Sequence, residues 1–348
     1  MRRLVSILAL LLAAVGCWGC RAPLARYERV EPAMGTTFRL VFYATGDEAA
    51  ERAGAAARER IHAIERIFSD YDAASEARRI AGAAPGVFDV SRELAEVTAL
   101  AAELGARSGG AFDVTVGPLS RLWRRAGRQG EAPEQADWER AARAVGWHHL
   151  RVDAAARQLE LRAPGMRLDY GGIAKGYAAC EALRVLAEHG FERALVDAGG
   201  DVSCGAAPPG AAGWRVALEG AEQAGGGLVL CEASIATSGA RYRGVELDGE
   251  LYSHLLDPRR AAAPPGGGQV TVLVHGRGRG ALADALASAV GLLALEEALL
   301  LVASYPGAEA RLVGAGGPEA EGPQLRTTAG FPPLLSLEPH VPTARSDP

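Results

Sequence analysis

Apolar and polar residues in the first third of the chain follow a strand pattern and then a helix pattern. Residues 26–44 have the composition of strands, interrupted by a proline and by a small turn at 35–37. Residues 48–68 place apolar side chains at the spacing of an amphipathic helix. Ser91 is a candidate N-cap for a further helix that ends near Arg107. This part of the chain therefore predicts strands followed by two helices.

Strands and helices are mixed without regular alternation in the rest of the chain. In order, the sequence predicts a short strand (112–116), a turn towards Trp123, a hairpin (150–153 and 158–161), a helix that ends near Gly190, a buried strand (194–197), further strands (214–256 and 269–275) and two helices (281–293 and 294–304). Residues 334–348 are rich in proline and predict a loose, disordered tail. The predicted fold class is therefore α+β, with mixed helices and sheet, rather than a doubly wound parallel sheet.

The N-terminus has the pattern of a targeting segment. Two arginines precede an apolar run, residues 4–15, that is short for crossing a bilayer. The run ends in Ala-Val-Gly-Cys, which resembles the cleavage box of a bacterial lipoprotein. We therefore expect residues 1–20 to be a signal peptide and lipidation region, with the lipid on Cys17. Cys20 is a second candidate, and a conventional signal peptide cleaved elsewhere is the other interpretation. Lipidation predicts an anchor on the periplasmic side of the cell membrane.

Composition and charge exclude some classes of function for this protein. The chain has 348 residues, of which 49% are hydrophobic and 23% charged, so it can form one large domain or two smaller ones. The net charge of −5 argues against a nucleic-acid binder. Three later cysteines, Cys180, Cys204 and Cys231, lack the spacing of a zinc site. We expect them to be small buried side chains, with a disulfide as the alternative.

A pair of glycines opens the predicted helix that ends near Gly190. Between Asp169 and Ala178 the chain reads Asp-Tyr-Gly-Gly-Ile-Ala-Lys-Gly-Tyr-Ala. Glycines let the backbone approach a bulky anion, and the free N–H groups and positive dipole end of a helix favour phosphate. Lys175 lies in the first turn, where its ammonium could contact the same anion. A plain turn is the alternative interpretation of the two glycines.

Two oxygen-bearing side chains stand four residues apart in a later predicted helix. This spacing puts Asp284 and Ser288 on one helix face. A carboxylate beside a hydroxyl suits magnesium that shares its shell with phosphate oxygens and water. The alternative is a solvated helix surface.

Other polar residues are candidates for catalysis or anion binding. His254 follows a predicted strand, and a histidine there can accept a proton near neutral pH, although a structural histidine is the alternative. Thr237 and Ser238 could present hydroxyl or N–H groups to an anion, or form a simple turn. Asp113 follows Phe112 in an apolar run, where a carboxylate requires a polar partner.

Eight segments together resemble a known family. In chain order they are Met34-Gly35-Thr36, Phe68-Ser69-Asp70-Tyr71, Gly110 to Trp123, Asp169 to Ala178, Asp197 to Asp201, Thr237-Ser238-Gly239, His254 to Pro258 and Asp284 to Ser288. Over residues 27–332 the chain is similar to the ApbE-type family of FAD:protein FMN transferases. The resemblance implies an ApbE-like domain over residues 27–333, with FAD in a cleft between the sheet and helix N-termini.

The resemblance also implies a reaction and its participants. FAD is the substrate, its FMN part is joined through phosphate to a threonine or serine of an exported or membrane redox protein, and AMP leaves. The residues implied to contact FAD are Met34, Tyr71, Ala111, Phe112, Asp113, Lys175, Leu256, Thr237 and Ser238. Magnesium is assigned to Asp284, Ser288 and the backbone carbonyl of Ala178. His254 is the expected base, with Asp257 close enough to compete.

The chain departs from the family pattern at positions that leave alternatives open. Ser288 stands where the family usually has threonine, which preserves a hydroxyl. Cys180 replaces a common aspartate. The absence of that carboxylate affects either a nucleotide contact or a helix-start interaction. Two other functions remain as alternatives. These are FAD hydrolysis to FMN and AMP, and a membrane-tethered FAD-binding lipoprotein without turnover.

Replacing the candidate lipidation residue tests the expected anchor. We predict that Cys17→Ser moves the protein from the membrane fraction to the soluble fraction after cell breakage, because the acyl chains are lost. Fractionation and immunoblotting provide the measurement, with Cys20→Ser as the matched control. Membrane association that persists in Cys17→Ser would contradict lipidation at this residue.

Overall fold

An antiparallel sheet of eight strands forms the centre of the molecule. The computed structural model describes residues 24–218, 226–239, 245–247, 250–253, 255–264, 268–314 and 325–336. The strands in these ranges are β1 (Ala25–Ala33), β2 (Thr36–Ala44), β3 (Gly86–Asp89), β4 (Leu150–Asp153), β5 (Gln158–Leu161), β6 (Ala194–Ala198), β7 (Val202–Cys204), β8 (Trp214–Ala217), β9 (Gly226–Leu230), β10 (Ala233–Gly239), β11 (Val245–Leu247), β12 (Glu250–Tyr252), β13 (Gln269–His275), β14 (Ala308–Val313), β15 (Leu325–Thr327) and β16 (Leu335–Ser336). The central sheet has the order β1-β2-β6-β7-β10-β13-β14-β15.

Helices and three smaller strand groups surround this sheet. The α-helices in the described ranges are α1 (Asp47–Phe68), α2 (Glu76–Gly82), α3 (Arg92–Arg107), α4 (Gly117–Gln129), α5 (Gln135–Ala142), α6 (Ala174–Glu188), α7 (Gly280–Val290) and α8 (Leu295–Ala303). The smaller groups are the sheets β3-β5-β4 and β16-β9-β8 and the hairpin β11-β12. This architecture confirms the predicted α+β class of mixed helices and sheet.

Alternating side chains of the central strands divide the core into two layers. In β2, Phe38, Leu40 and Phe42 belong to the large cluster that also contains buried residues of α1, α6 and α7. Val41 belongs instead to a second cluster, with Trp214 and other residues of the β8–β9 sheet. Successive strand residues point to opposite faces, so helices cover one face of the central sheet and the small sheet covers the other.

The predicted strand pair at the start of the chain is confirmed. β1 and β2 form a hairpin that turns at Met34 and Gly35, with φ angles of 52° and 70°. Two successive positive φ angles match the two-residue turn that suits twisted strands. The Met34 N–H donates to Glu65 Oε1 of α1 over 2.7 Å, which fixes the hairpin tip against the helix.

The predicted helices 48–68 and 92–107 are also confirmed. α1 begins one residue earlier, and α3 follows Ser91, whose hydroxyl accepts the Leu94 N–H over 3.2 Å. This hydrogen bond satisfies one of the free N–H groups at the start of α3.

The predicted strand 112–116 and the turn towards Trp123 are wrong. Asp113 Oδ1 accepts both the N–H and the hydroxyl of Thr115, over 2.8 and 2.7 Å, and this bends the chain into a turn. The helix α4 then begins at Gly117, with Pro118 in its first turn, and continues to Gln129. The sequence predicts a turn at Pro118 because the proline ring suits a β-turn as well as the start of a helix.

The expected loose tail needs one correction. Leu335 and Ser336 pair with Gly227 and Gly226 of β9, because the backbone here continues the small sheet. The remainder of the predicted tail, residues 337–348, and the candidate lipidation residue Cys17 lie outside the described residues. Within the described ranges, no helix combines the length and apolar content that a membrane span requires.

Two glycines allow α6 and α7 to touch backbone to backbone. A Cβ on Gly176 would lie 2.1 Å from the carbonyl oxygen of Gly280, and a Cβ on Gly280 would lie 2.2 Å from that of Gly176. Neither separation is sterically allowed, so only glycine permits this approach. The contact brings the first turn of α6 beside the first turns of α7.

Substitution of Gly176 tests this contact. We predict that Gly176→Ala lowers the free energy of unfolding by about 3 kcal/mol, because the methyl group forces the helices apart. Gly82→Ala is the matched control, since a Cβ there meets nothing within 4 Å, and we expect a change of about 1 kcal/mol or less. Urea unfolding followed by circular dichroism measures both values. Equal midpoints for the two variants would contradict the proposed close approach.

Candidate active site

A cleft of about 800 Å³ opens where the ends of the central strands meet helix termini. Its walls come from the β1–β2 turn, the end of α1, the turn before α4, the start of α6, the β6–β7 turn and the end of β10. The volume lies within the range of about 300–1,000 Å³ that is typical of pockets for small molecules and cofactors.

The structure brings the predicted FAD-contact residues together. The nine residues that line this one cleft are Met34, Tyr71, Ala111, Phe112, Asp113, Lys175, Leu256, Thr237 and Ser238. They come from positions spread across more than two hundred residues, so their convergence is a property of the fold. Asp284 and Ser288 line the same cleft.

Lys175 and acidic residues form a buried cluster at the start of α6. The Lys175 ammonium lies 2.9 Å from Asp201 Oδ2 and 3.2 Å from Asp284 Oδ2, and it donates to the carbonyl oxygen of Gly171 over 3.1 Å. The Gly176 N–H, near the start of α6, donates to Asp284 Oδ2 over 3.2 Å. The cluster therefore combines a helix N-terminus, one cation and two carboxylates.

Burial and mutual attraction set the charges in this cluster. Burial raises the pKa of the Asp284 carboxyl, the Lys175 ammonium opposes this effect, and the Asp201 carboxylate adds to it. Burial alone would lower the pKa of Lys175, but Asp284 and Asp201 outweigh it, and the pKa is raised. Lys175 is therefore charged at neutral pH.

The donor atoms of this cluster fit magnesium in their chemistry. Four oxygen atoms, from Asp284, Asp201 and Gly171, surround the Lys175 cation, which shows that the place attracts positive charge. Magnesium prefers oxygen ligands of these kinds. A Cβ on Gly172 would lie 2.8 Å from Ser288 Oγ, so the glycine leaves the space beside this hydroxyl open.

Not every predicted site residue reaches the cleft. Ala178 is fully buried inside α6 and does not line the cleft, whereas Gly172 does and lies against Ser288. Asp257 does not line it either, because its carboxylate accepts two side-chain hydrogen bonds from Arg259, over 2.9 and 2.8 Å. This carboxylate therefore braces its own turn. His254 lies outside the described residues.

Cys180 takes part in a helix-start interaction. The N–H of Gly280, the first residue of α7, donates to Cys180 Sγ over 3.1 Å, and Ser203 Oγ lies 3.5 Å from the same sulfur. Cys180 does not line the cleft. Of the two roles left open for this position, the structure favours an interaction that holds the start of α7. Cys180, Cys204 and Cys231 are all free thiols.

Sequence reasoning missed a second charged cluster in the cleft. Arg124 of α4 forms an ion pair with Asp70, lies 3.6 Å from Asp169 and covers the ring of Tyr71, with 4.9 Å to the ring centroid. Burial raises the pKa of Asp70, Asp169 raises it further, and Arg124 opposes both. The sequence analysis names Asp70 and Asp169 only as parts of matching segments, and Arg124 directly follows the stretch predicted as a turn.

Comparisons with known proteins show the family to which this chain belongs. The model of the ApbE family matches residues 34–312. An FAD:protein FMN transferase from Treponema pallidum is 30% identical over 333 residues, which cover 89% of this chain and 90% of that protein.

Solved structures agree as well. The flavinyl transferase ApbE from Pseudomonas stutzeri, in its apo form, superposes with a TM-score of 0.74 and 27% identity, over 88% of this chain and 95% of that one. The ApbE protein from Thermotoga maritima gives a TM-score of 0.73 and 27% identity, over 88% and 97% of the two chains. The family match covers most of the chain and the fold agrees, so the protein belongs to the ApbE family.

Proposed function

We propose that the protein is a magnesium-dependent FAD:protein FMN transferase, which moves the FMN part of FAD to a threonine or serine hydroxyl of a redox protein and releases AMP. The observation that carries this proposal is the convergence of the nine predicted FAD residues, Asp284 and Ser288 in one cleft. Family membership and the names of the relatives support the same activity.

Two parts of the cleft lining suit different parts of FAD. The start of α6, with Lys175 and the glycines before it, offers N–H groups and positive charge for the diphosphate. Tyr71 and Phe112 offer aromatic surface for stacking with a flat ring system. A dinucleotide could therefore lie along the cleft with its charged centre at α6.

The proposed reaction is a phosphoryl-type transfer. The acceptor oxygen forms a bond to the phosphorus of the FMN half, and the bond from that phosphorus to the bridging oxygen breaks. AMP leaves with the bridging oxygen, and the proton of the hydroxyl passes to a base. Such reactions depend mainly on positioning and on neutralisation of charge.

The acidic cluster provides the proposed metal site. Asp284 and Ser288, with Asp201 and the Gly171 carbonyl nearby, would hold magnesium, which would neutralise charge on the diphosphate oxygens. Lys175 would orient the diphosphate from the same side. Within the described residues, no group of three or more His, Cys, Asp or Glu side chains is arranged to hold a metal, so phosphate oxygens and water would complete the shell.

His254 is the proposed base for the incoming hydroxyl. The two residues that follow it, Leu255 and Leu256, line the cleft, which supports this proposal. Asp257 is the weaker candidate because Arg259 holds its carboxylate.

For the location of the protein, we propose a lipid anchor at Cys17, which would place the enzyme beside acceptors at the membrane.

Asp284→Asn tests the metal site. We predict that this variant loses magnesium-dependent AMP release, by at least about 100-fold, because the neutral amide is a poor ligand for the ion. Chromatography of AMP after incubation with FAD, magnesium and purified exported redox proteins measures the effect. Intact mass of each acceptor shows whether FMN has been attached. Free FMN as the sole flavin product would indicate hydrolysis instead.

The control for Asp284→Asn is Asp89→Asn, which changes an exposed carboxylate on β3 in the same way. AMP release by the control should match that of the unmodified protein. Undiminished AMP release by Asp284→Asn would remove the proposed metal site.

His254→Ala tests the proposed base. We predict that transfer slows by about 100-fold or more, because general base catalysis typically contributes a factor of this size. FAD binding, measured by flavin fluorescence, should be unchanged, since a base is needed only when the bond forms. His275→Ala, at an exposed position on β13, is the control. Loss of FAD binding in His254→Ala would show that the histidine binds FAD.

A further inference from the structure

One face of α4 is strongly basic. Arg121, Arg124, Arg125 and Arg128 follow the spacing i, i+3, i+4 and i+7, which places all four side chains on one side of the helix. The opposite side carries Leu119, Trp123 and Ala126, which are buried. The amphipathic pattern therefore fixes which side of α4 faces solvent.

This basic face begins at the cleft. Ser120, Trp123 and Arg124 line the cleft, and Arg121 and Arg128 are exposed on the same helix outside it. Arg128 lies seven positions after Arg121, so the face extends about 10 Å along α4 at 1.5 Å per residue. A molecule confined to the cleft would not contact Arg121 or Arg128, which do not line it.

The outer arginines of α4 lack carboxylate partners within the described part of the chain. Neither Arg121 nor Arg128 forms an ion pair there, and Arg125 reaches Asp137 only at 3.8 Å. Every arginine of α1, α3 and α6 is paired with an acid, as Arg52 is with Glu48. The chain carries a net charge of −5, so a general shortage of acids does not explain the difference.

Two further arginines continue the basic surface around the cleft mouth. Arg78 Nη1 donates to the backbone carbonyl of Asp70 over 2.6 Å, and Arg167 pairs through its backbone with Val116, immediately before α4. Burial and the nearby Arg78, Arg121 and Arg124 guanidiniums lower the pKa of Arg167. The Asp70 carboxylate opposes this effect, and a further anion would offset more of the positive charge.

We propose that this surface, formed by Arg78, Arg121, Arg125, Arg128 and Arg167 and here named the α4 surface, docks an acidic segment of the protein that accepts FMN. The inference rests on the proposed function, because it takes the acceptor to be a protein. The complementary charge would steer the acceptor to the cleft and hold its hydroxyl near the cleft mouth. A flexible acidic chain can reach the half-buried Arg167, whereas a flat lipid surface meets mainly the exposed arginines of α4.

Binding of an acidic probe tests the proposal without requiring turnover. A fluorescein-labelled octaglutamate peptide is titrated with the purified protein, and fluorescence anisotropy gives the dissociation constant. We predict that Arg121→Glu combined with Arg128→Glu raises this constant at least about tenfold, because repulsion replaces attraction. Arg151→Glu combined with Arg326→Glu, at exposed strand positions, changes the net charge equally and should leave the constant within about twofold.

Control measurements establish that octaglutamate binding depends on charge and that the variants are folded. Octaglutamine should not bind, and added salt should weaken octaglutamate binding to the unmodified protein. Far-ultraviolet circular dichroism should show that both double variants are folded. Equal octaglutamate binding by the two double variants would overturn the proposal, as would no binding by the unmodified protein.

Two further measurements distinguish docking of a protein from binding to lipid, and failure of this proposal from failure of the proposed activity. Loss of binding to phosphatidylglycerol vesicles in Arg121→Glu/Arg128→Glu, with octaglutamate binding unchanged, would overturn the proposal in favour of a membrane surface. If no acceptor gains FMN while the charge-specific octaglutamate binding holds, the proposed activity fails but the α4 surface still binds acidic segments. Failure of the two proposals is therefore distinguishable.

Discussion

The contact between Gly176 of α6 and Gly280 of α7 is the constraint on which the site depends. Backbone atoms of the two helices meet where any Cβ would collide, so the helices approach more closely than side chains normally permit. Lys175, next to the first glycine, can therefore touch Asp284, one turn beyond the second. Cys180 reinforces the same contact, because its sulfur accepts the N–H of Gly280.

Charge is distributed unequally along the cleft that this packing creates. At the α6 end, carboxylate and carbonyl oxygens surround one lysine, which suits a cation shared with a diphosphate. In the second cluster, Arg124 lies between Asp70 and Asp169, and the other arginines of α4 lie outside the cleft. The proposed roles follow these charges, with chemistry at the oxygen-rich cluster and recognition of a protein on the α4 surface.

Local patterns predicted the elements whose side chains repeat regularly. The helix α1, the Ser91 cap of α3 and the β1–β2 hairpin followed directly from periodicity and capping. The turn at Asp113 and the helix α4 did not, because the carboxylate–Thr115 hydrogen bonds and the role of Pro118 depend on geometry. Because the sequence did not predict α4, the four arginines on one face of this helix were not recognised from the sequence. The contact between Lys175 and Asp284 joins residues 109 apart in the chain, which no local pattern shows.

Crystallography with an anomalous scatterer can show whether a divalent cation binds between α7 and the start of α6. Crystals grown with FAD and manganese, as a stand-in for magnesium, would locate the ion by its anomalous signal. We predict a single strong peak bonded to the Asp284 carboxylate and the Ser288 hydroxyl, at about 2.1 Å, with the FAD diphosphate against the start of α6. A peak elsewhere, or a diphosphate remote from Lys175, would contradict it.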